Sequence, residues 1–333
     1  MKYTVIGAGS WGTTVSSLLA PVVPTTIWAR RAKVAEDIDS KHRNKAYLKG
    51  FTLPTELSAT DNLSDAVNEA DVIFMAVPSH GYRDVLTRVA GDIPSDIPII
   101  SLTKGIEAGT LMRMTEVTAD VLPDHDTDVI GVMTGPNLAK EIMDGQPAGT
   151  VIAMQNQDVA HTVQSKISGP RLRVYTNTDV IGSESAGAVK NVMAIASGMA
   201  AGQGFGDNTL ATLVTRALVE MARLGIAMGG RARTFAGLAG IGDLIATCSS
   251  RQSRNFRVGY GLGQGRDLEE IIDEMQMVAE GVKSTAGILA LSLRYGVDMP
   301  IADKVGEVLY DGLDVTEALH QLMTREVGEE FRA

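Results

Sequence analysis

The first 180 residues alternate short apolar segments with stretches of helical periodicity. Several apolar segments are rich in β-branched residues and lack strict alternation, as in strands that are covered on both faces. This order predicts an α/β fold with a mostly parallel sheet. Proline at 136 predicts a helix start, and Ser64 or Asp65 is a candidate cap for a helix running through Ala70. The predicted strands are Lys2–Ile6, Thr25–Trp28, Asp71–Val77, Ile97–Leu102, Asp128–Met133, Thr150–Met154 and Leu172–Tyr175.

Beyond about residue 182 the pattern changes, because no segment predicts a strand and apolar positions recur at helical spacing. One such stripe is formed by Leu210, Leu213, Val214, Ala217, Leu218, Met221 and Leu224. We therefore expect an all-α second domain and place the boundary within Thr178–Gly182, which gives domains of residues 1–180 and 181–333. A glycine-rich segment at Gly259–Gly265 has no strand before it, and we predict a loop between helices there.

Composition narrows the range of partners. The 333 residues are 44% hydrophobic and 21% charged, with a net charge of −10. This charge disfavours nucleic acid, and no apolar run approaches the ~18 residues that stable membrane insertion needs. The single cysteine, Cys248, excludes an internal disulfide and fits a reducing compartment. His80, His125 and Cys248 form no metal-binding spacing, so we predict no metal site.

The first chemical motif is a glycine-rich turn directly after the first predicted strand. Gly7, Gly9 and Gly12 have the spacing G-x-G-x-x-G and open a helical stretch. In a Rossmann-type domain these glycines permit the turn, the approach of the pyrophosphate and close helix–strand packing. Ser10 and Trp11 would contribute backbone amides at the positive helix end. The sequence thus predicts a dinucleotide site and a nicotinamide-dependent oxidoreductase.

The end of the second strand bears on cofactor preference. Arg30 and Arg31 stand where an NAD-specific protein usually has an acidic residue that binds the ribose. Two arginines suit a 2′-phosphate, which favours NADP(H) over NAD(H), or else acceptance of both cofactors. The alternative is that the two arginines are ordinary solvent-exposed charges at the start of a helix.

Ligands of open α/β sheets bind beyond the carboxyl ends of the strands, and that rule selects three segments. They are Pro78–His80, Thr103–Gly105 and Gly135–Glu141. Lys104 follows a strand directly, so its ammonium is a candidate for gripping an anionic substrate. An isolated loop lysine is otherwise a surface residue.

Lys190 is the strongest catalytic candidate. It is the only charged residue between Glu184 and Asp207, in a helix of small residues. Partial burial there would lower its pKa toward values useful for acid/base catalysis. The alternative is a lysine at a helix edge whose ammonium reaches solvent.

Four polar residues follow in the predicted helical half. Asp243 ends the segment GIGD, and Ser253, Arg254 and Asn255 are consecutive, with Arg254 a natural clamp for phosphate or carboxylate. By themselves they fit helix caps and surface charge equally well.

Taken together, these motifs resemble the bacterial NAD(P)-dependent glycerol-3-phosphate dehydrogenases along essentially the whole chain. The order and spacing of eight segments carry the resemblance. They are GAGSWGT (Gly7–Thr13), VPSH (Val77–His80), TKGIE (Thr103–Glu107), GPNLAKE (Gly135–Glu141), GAVKNVMAIASGM (Gly187–Met199), GLAGIGDLIATC (Gly237–Cys248), QSRNFRVG (Gln252–Gly259) and VAEGVKST (Val278–Thr285).

The resemblance implies reduction of dihydroxyacetone phosphate to sn-glycerol 3-phosphate, with Lys190 as general acid/base and with Arg254 and Asn255 on the phosphate. It also implies a cytoplasmic homodimer that supplies glycerophospholipid synthesis. The implied substrate-binding residues are Lys104, Gly135, Asn137, Lys190, Asp243, Ser253, Arg254 and Asn255. The implied cofactor contacts, beside the three glycines, are Ser10, Trp11, Arg30, Arg31, Lys104, Ala139, Arg254, Val278 and Glu280.

Two positions depart from the family pattern, and two other interpretations remain. Asn137 replaces the usual Ser or Thr, which leaves its contact open, and Lys49 replaces a surface-loop proline. A hydroxyacid dehydrogenase or ketopantoate reductase pairs the same kinds of domain with a catalytic lysine. A redox-sensing protein would bind the nucleotide without turnover.

Overall fold

The computed structural model describes residues 1–275 and 279–326, and an eight-stranded sheet forms its first half. The order is β3-β2-β1-β4-β5-β6-β7-β8, and every neighbouring pair is parallel except β6 and β7. The predicted α/β class and mostly parallel sheet are confirmed. The strands are β1 (Tyr3–Ile6), β2 (Thr25–Trp28), β3 (Leu57–Thr60), β4 (Val72–Met75), β5 (Ile99–Ser101), β6 (Ile130–Thr134), β7 (Ala148–Ala153) and β8 (Leu172–Asn177).

All seven predicted strands form, but β3 was not predicted. Its sequence, LSAT, contributes only Leu57 to the apolar core, and its other three residues are exposed or half-buried. It lies at one edge of the sheet, where β2 alone pairs with it. Backbone pairing therefore defines this strand, and the side chains carry little signal.

Helices cover both faces of this sheet, and alternate side chains of its central strands enter two separate apolar clusters. Val5 and Phe74 belong to one cluster, whereas Ile6 and Ile73 belong to the other. This is the burial expected of a doubly covered sheet. The helices are α1 (Ser10–Leu19), α2 (Ala32–Lys41), α3 (Leu63–Val67), α4 (Ser79–Thr87), α5 (Met114–Val121), α6 (Ala139–Met143) and α7 (Gln157–Ile167), with 3₁₀ turns at Ala90–Asp92 and Thr127–Val129.

Two predicted helix ends were wrong. The cap of α3 is Asn62, whose side chain accepts hydrogen bonds from the amides of Ser64 and Asp65, and the helix ends before Ala70. The helix expected to start at Pro136 begins three residues later. Near α3 several residues suited to a cap lie close together in the sequence, whereas the cap position of α6 is Leu138, which makes no side-chain cap hydrogen bond.

From residue 180 the described residues contain helices and no strand, as predicted. The predicted apolar stripe is buried at Ala217, Met221 and Leu224 and half-buried at Leu210, Leu213, Val214 and Leu218. No helix in the described ranges combines the length and apolarity that crossing a bilayer requires. The helices are α8 (Val180–Gly202), α9 (Asp207–Ala227), α10 (Ala232–Phe235), α11 (Asp243–Ser249), α12 (Arg254–Gly263), α13 (Leu268–Glu274), α14 (Glu280–Tyr295), α15 (Pro300–Tyr310) and α16 (Val315–Met323), with a π-helical turn at Leu238–Gly242.

Most of the glycine-rich segment predicted as a loop is instead helical, since residues 259–263 form the second half of α12 and Gly265 lies just beyond it. Gly259 and Gly263 face α8, so the two helices touch backbone to backbone, whereas Gly261 faces Ile271 of α13. A Cβ on Gly259 would lie 2.0 Å from the Ile195 carbonyl oxygen, and one on Gly263 would lie 2.3 Å from that of Met199. From the opposite side, a Cβ on Gly198 would lie 2.1 Å from the Phe256 oxygen. These glycines therefore serve helix packing and not a nucleotide loop.

We expect Gly259→Ala to destabilise the protein by at least about 1–3 kcal/mol, because overpacking against a backbone carbonyl forces the helices apart. The matched control is Gly81→Ala in α4, where an added Cβ meets nothing within 4 Å. The control gains helix propensity and should be neutral or slightly stabilising. Thermal unfolding followed by circular dichroism measures both, and equal midpoints for the two variants would contradict the packing argument.

Candidate active site

The predicted nucleotide loop lies at the carboxyl end of β1. The strand order reverses at this point, because β2 and β3 lie on one side of β1 and β4 lies on the other. Gly7 has φ +120°, and a Cβ there would lie 2.5 Å from the Ala76 carbonyl oxygen. A Cβ on Gly12 would lie 2.0 Å from the Gly7 oxygen, which shows how closely α1 packs against the turn. An added Cβ on Gly9 meets nothing within 4 Å, so its backbone faces open space. The loop fits the pyrophosphate of a dinucleotide.

A segment that the sequence analysis did not single out holds this loop from the side. Asn44 is buried and donates hydrogen bonds from Nδ2 to the Ala8 carbonyl and to Thr13 Oγ1, both at 2.9 Å. Ser10 Oγ donates to the Tyr47 carbonyl at 2.8 Å. No pattern in the sequence links residues 44–47 to the glycines, because the contact is formed only in the folded chain.

Arg30 and Arg31 follow β2 and are both exposed. The Arg31 guanidinium lies 5.4 Å from the centre of the Tyr47 ring, within range of a cation–π contact. The Nε1 atom of Trp11 is buried without a hydrogen-bond partner among the described residues. A buried donor of this kind in the loop fits contact with a bound ligand.

Lys104, Lys190 and Asp243 come together although they are far apart in sequence. Lys190 on α8 is 6% exposed, and its Nζ donates to Asp243 Oδ1 at 2.5 Å. Lys104 follows β5 and donates to Asp243 Oδ2 at 2.6 Å and to the Gly135 carbonyl at 3.0 Å. One buried carboxylate thus holds two ammonium groups, one from the sheet half and one from the helical half. We call this junction between the two halves the cleft.

Burial lowers the pKa of the Lys190 ammonium to about 8, and the positive charge of Lys104 acts in the same direction. The negative charge of Asp243 opposes both effects. The amine is therefore poised to gain or lose a proton near neutral pH, as a general acid/base requires.

Thr247 completes the surroundings of Lys190 and was missed. Its Oγ1 accepts a hydrogen bond from Lys190 Nζ at 2.6 Å and donates its own proton to the Asp243 carbonyl at 2.6 Å. Thr247 stands four residues after Asp243 on α11, so the two side chains share one helix face. That spacing is the signal by which the sequence could have identified it.

Three further predicted substrate residues lie at the start of α12, on the helical side. Ser253 caps the helix by accepting from the Phe256 amide at 3.3 Å. Asn255 Oδ1 accepts from the Gly281 amide at 2.9 Å, which leaves its Nδ2 to donate. Arg254 is the exposed first residue of the helix.

Further hydrogen bonds join the two halves around this cleft. Glu280, predicted to contact the cofactor, opens α14 and accepts from Ser79 Oγ at 2.8 Å. Gln252 Nε2 donates to Glu141 Oε1 at 2.9 Å. Val278, another predicted cofactor contact, lies outside the described residues.

The segment after β6 brings Gly135, Asn137 and Ala139 to the same edge. Gly135 has φ +152°, and Ala139 is the first residue of α6. Asn137 Nδ2 donates to Thr150 Oγ1 at 3.1 Å, and Asn137 Oδ1 is buried without a partner in the part of the chain that the structure describes. No group of three or more His, Cys, Asp or Glu that would suit a metal ion occurs in residues 1–275 and 279–326.

Comparison with known protein families assigns both halves of the chain. A family model described as the NAD-dependent glycerol-3-phosphate dehydrogenase N-terminus matches residues 2–160, and the corresponding C-terminus model matches residues 179–320. The chain belongs to the NAD-dependent glycerol-3-phosphate dehydrogenase family. It is therefore an NAD(P)-dependent oxidoreductase, as the glycine turn predicted.

Individual relatives agree with this assignment over nearly the full length. The chain is 49% identical over 330 residues to glycerol-3-phosphate dehydrogenase [NAD(P)+] 2 of Sphingopyxis alaskensis, which covers 99% of this chain and 98% of the relative. The crystal structure of glycerol-3-phosphate dehydrogenase from Coxiella burnetii superposes with a TM-score of 0.92 at 34% identity, covering 97% and 99% of the two chains.

A ketopantoate reductase from Ralstonia eutropha is also similar in structure, with a TM-score of 0.56 at 16% identity. It covers 96% of this chain and 100% of its own. Likeness at this level shows a shared fold and does not favour the alternative activity considered above.

The pKa of Lys190 is directly testable. In protein labelled with ¹³C at lysine Cε, we expect the signal that disappears in Lys190→Met to titrate with a midpoint near pH 8. Because the charge of Asp243 raises this pKa, Asp243→Asn should move the midpoint to lower pH. Lys166→Met is the control and should remove a different signal. A Lys190 midpoint above pH 10 would contradict the effect of burial.

Proposed function

We propose that Lys190 is the general acid/base in the reduction of dihydroxyacetone phosphate to sn-glycerol 3-phosphate. The observation that carries this assignment is the burial of its ammonium between Asp243 and Thr247, opposite Lys104. An ammonium has three protons to donate. Two of them are held by Asp243 and Thr247, so the third is left for the substrate.

A dinucleotide whose pyrophosphate is bound at the glycine turn would supply, from its nicotinamide ring, the hydride for the C2 carbon of the ketone. Lys190 Nζ donates its third proton to the C2 oxygen as negative charge develops there, and the product carries a hydroxyl. In the reverse direction the neutral Lys190 amine takes that hydroxyl proton. Asp243 keeps Nζ in place, and Lys104 contributes positive charge beside the reacting oxygen.

The phosphate is bound on the helical side of the cleft. Arg254 provides a guanidinium, which suits phosphate in charge and geometry, and Asn255 provides its Nδ2. Asn255 is fixed by the Gly281 amide, so its donor side is preorganised. Ser253 caps α12 and so fixes the position of Arg254, the first residue of that helix.

We also propose that the domain boundary lies near residue 180, because the sequence pattern changes there from alternating strands and helices to helices. Resemblance to the family supports two broader proposals: that the protein acts in the cytoplasm as a homodimer, and that its product supplies glycerophospholipid synthesis. Sedimentation of the purified protein tests the dimer.

Replacing Lys190 by Ala should lower kcat for dihydroxyacetone phosphate by about 10²–10⁴-fold, the usual contribution of a positioned acid/base group. Binding of NADPH, measured by fluorescence, should stay within a few-fold of wild type, since the glycine turn is untouched. Lys166→Ala on α7 is the matched control and should keep normal kcat.

A near-normal kcat in Lys190→Ala would remove this residue from its role. Wild-type turnover of non-phosphorylated keto acids alone would favour the ketopantoate-reductase interpretation. Binding of NADPH without turnover of any phosphorylated ketone would favour a redox-sensing protein.

We also propose that Arg30 and Arg31 make NADP(H) the preferred cofactor. Their side chains are exposed after β2, where a 2′-phosphate would lie. We expect kcat/KM to be higher with NADPH than with NADH, and the ratio to fall about tenfold or more in Arg30→Ala/Arg31→Ala, because charge-assisted hydrogen bonds are lost. Lys33→Ala, one turn further along and paired with Glu36, should leave the ratio unchanged. Equal efficiencies in wild type would refute the preference.

A further inference from the structure

Asn137 departs from the hydroxyl residue usual in the family, and the structure fixes the orientation of its amide. Thr150 Oγ1 donates its only proton to the Thr134 carbonyl at 3.0 Å. Toward Asn137 this hydroxyl can therefore only accept, so the group that faces it must be Nδ2, at 3.1 Å. A rotated amide would set two acceptors against each other.

The consequence falls on the other end of the amide. Oδ1 is buried and has no hydrogen-bond partner among residues 1–275 and 279–326. A buried acceptor without a donor costs stability, and such groups are rare unless a ligand or water completes them. A serine or threonine hydroxyl either donates or accepts, but Oδ1 held this way only accepts. The position therefore requires an O–H or N–H donor.

The surroundings of Asn137 point to the substrate as the source of that donor. Lys104 binds the carbonyl of Gly135, two residues earlier. The carbonyl of Thr134 accepts the hydrogen bond from Thr150, and the hydroxyl of Thr134 donates to Asp243 Oδ2 at 3.5 Å. The amide is thus linked on both sides to the groups that surround the reacting carbonyl. In dihydroxyacetone phosphate the C1 hydroxyl, attached next to that carbonyl, is an uncharged donor.

We propose that Asn137 Oδ1 accepts a hydrogen bond from the C1 hydroxyl of dihydroxyacetone phosphate and makes the enzyme selective for that hydroxyl. The proposal rests on the activity proposed above. Thr150 and Thr134 act as positioning residues, because they hold the amide with its oxygen toward the substrate. A substrate without the hydroxyl would leave Oδ1 buried and unpaired.

The test compares dihydroxyacetone phosphate with acetonyl phosphate, which has a methyl group in place of the hydroxymethyl group. We expect wild type to prefer the former by about 10–100-fold in kcat/KM, the effect of one unpaired buried acceptor. In Asn137→Ala the preference should fall by about tenfold. The intrinsic difference in reactivity between the two ketones cancels when the two preferences are divided.

Two further variants separate orientation from general damage. Thr150→Val removes the hydroxyl that fixes the amide but keeps Asn137, and should reduce the preference while dihydroxyacetone phosphate is still turned over. Asn208→Ala, the same change at an exposed position on α9, should leave the preference at the wild-type value.

The nicotinamide carboxamide is the other possible donor. It is tested with the 3-acetylpyridine analogue of NADPH, in which an acetyl group replaces the carboxamide. A change in cofactor preference in Asn137→Ala, with unchanged substrate preference, would overturn the proposal in favour of that contact. Equal preferences in wild type and Asn137→Ala for both pairs of ligands would also overturn it. If wild type does not reduce dihydroxyacetone phosphate at all, the proposed activity itself fails.

Discussion

A single buried carboxylate, Asp243, organises the cleft between the sheet and the helices. It receives hydrogen bonds from Lys104, which belongs to the sheet half, and from Lys190, which belongs to the helical half. Asp243 and Lys190 are buried and Lys104 is half-buried. Burying charged groups is costly unless they are paired, so the geometry of this cluster is tightly defined. Other features serve this arrangement: the π-helical turn ends directly before Asp243, and Thr247 fixes the direction of the Lys190 ammonium.

Small residues on α8 allow this constellation to form. An added Cβ on Gly187 would lie 3.5 Å from the Lys104 side chain, and one on Gly198 would strike the backbone of α12. The same helix therefore admits the Lys104 loop near one end and a neighbouring helix near the other. The low polarity that lowers the pKa of Lys190 follows from these close contacts, because they leave little room for water.

The sequence predicted those parts of the fold and site whose determinants are local. The glycine turn, seven strands, the helical second half and the isolated Lys190 all have patterns within about twenty residues. It missed β3, because pairing with β2 rather than apolar periodicity defines that strand. It also missed Asn44, whose role depends on partners that only folding brings together, and Thr247, whose spacing of four residues from Asp243 was a usable signal. The segment Gly259–Gly265 was misjudged because a glycine run has the same composition in a loop and in a tight helix crossing.

The backbone contacts between α8 and α12 also bear on how sequences of this kind are searched. Gly198, Gly259 and Gly263 admit no side chain, although none of them touches the reacting groups. A search that gives every glycine-rich segment the weight of a phosphate-binding turn would assign a second nucleotide motif to Gly259–Gly265, where the structure instead has the end of a helix. What a methyl group would strike separates the two segments only at Gly9, where it would meet open space; on Gly7 and Gly12 it would strike a carbonyl oxygen, as it would on Gly198, Gly259 and Gly263.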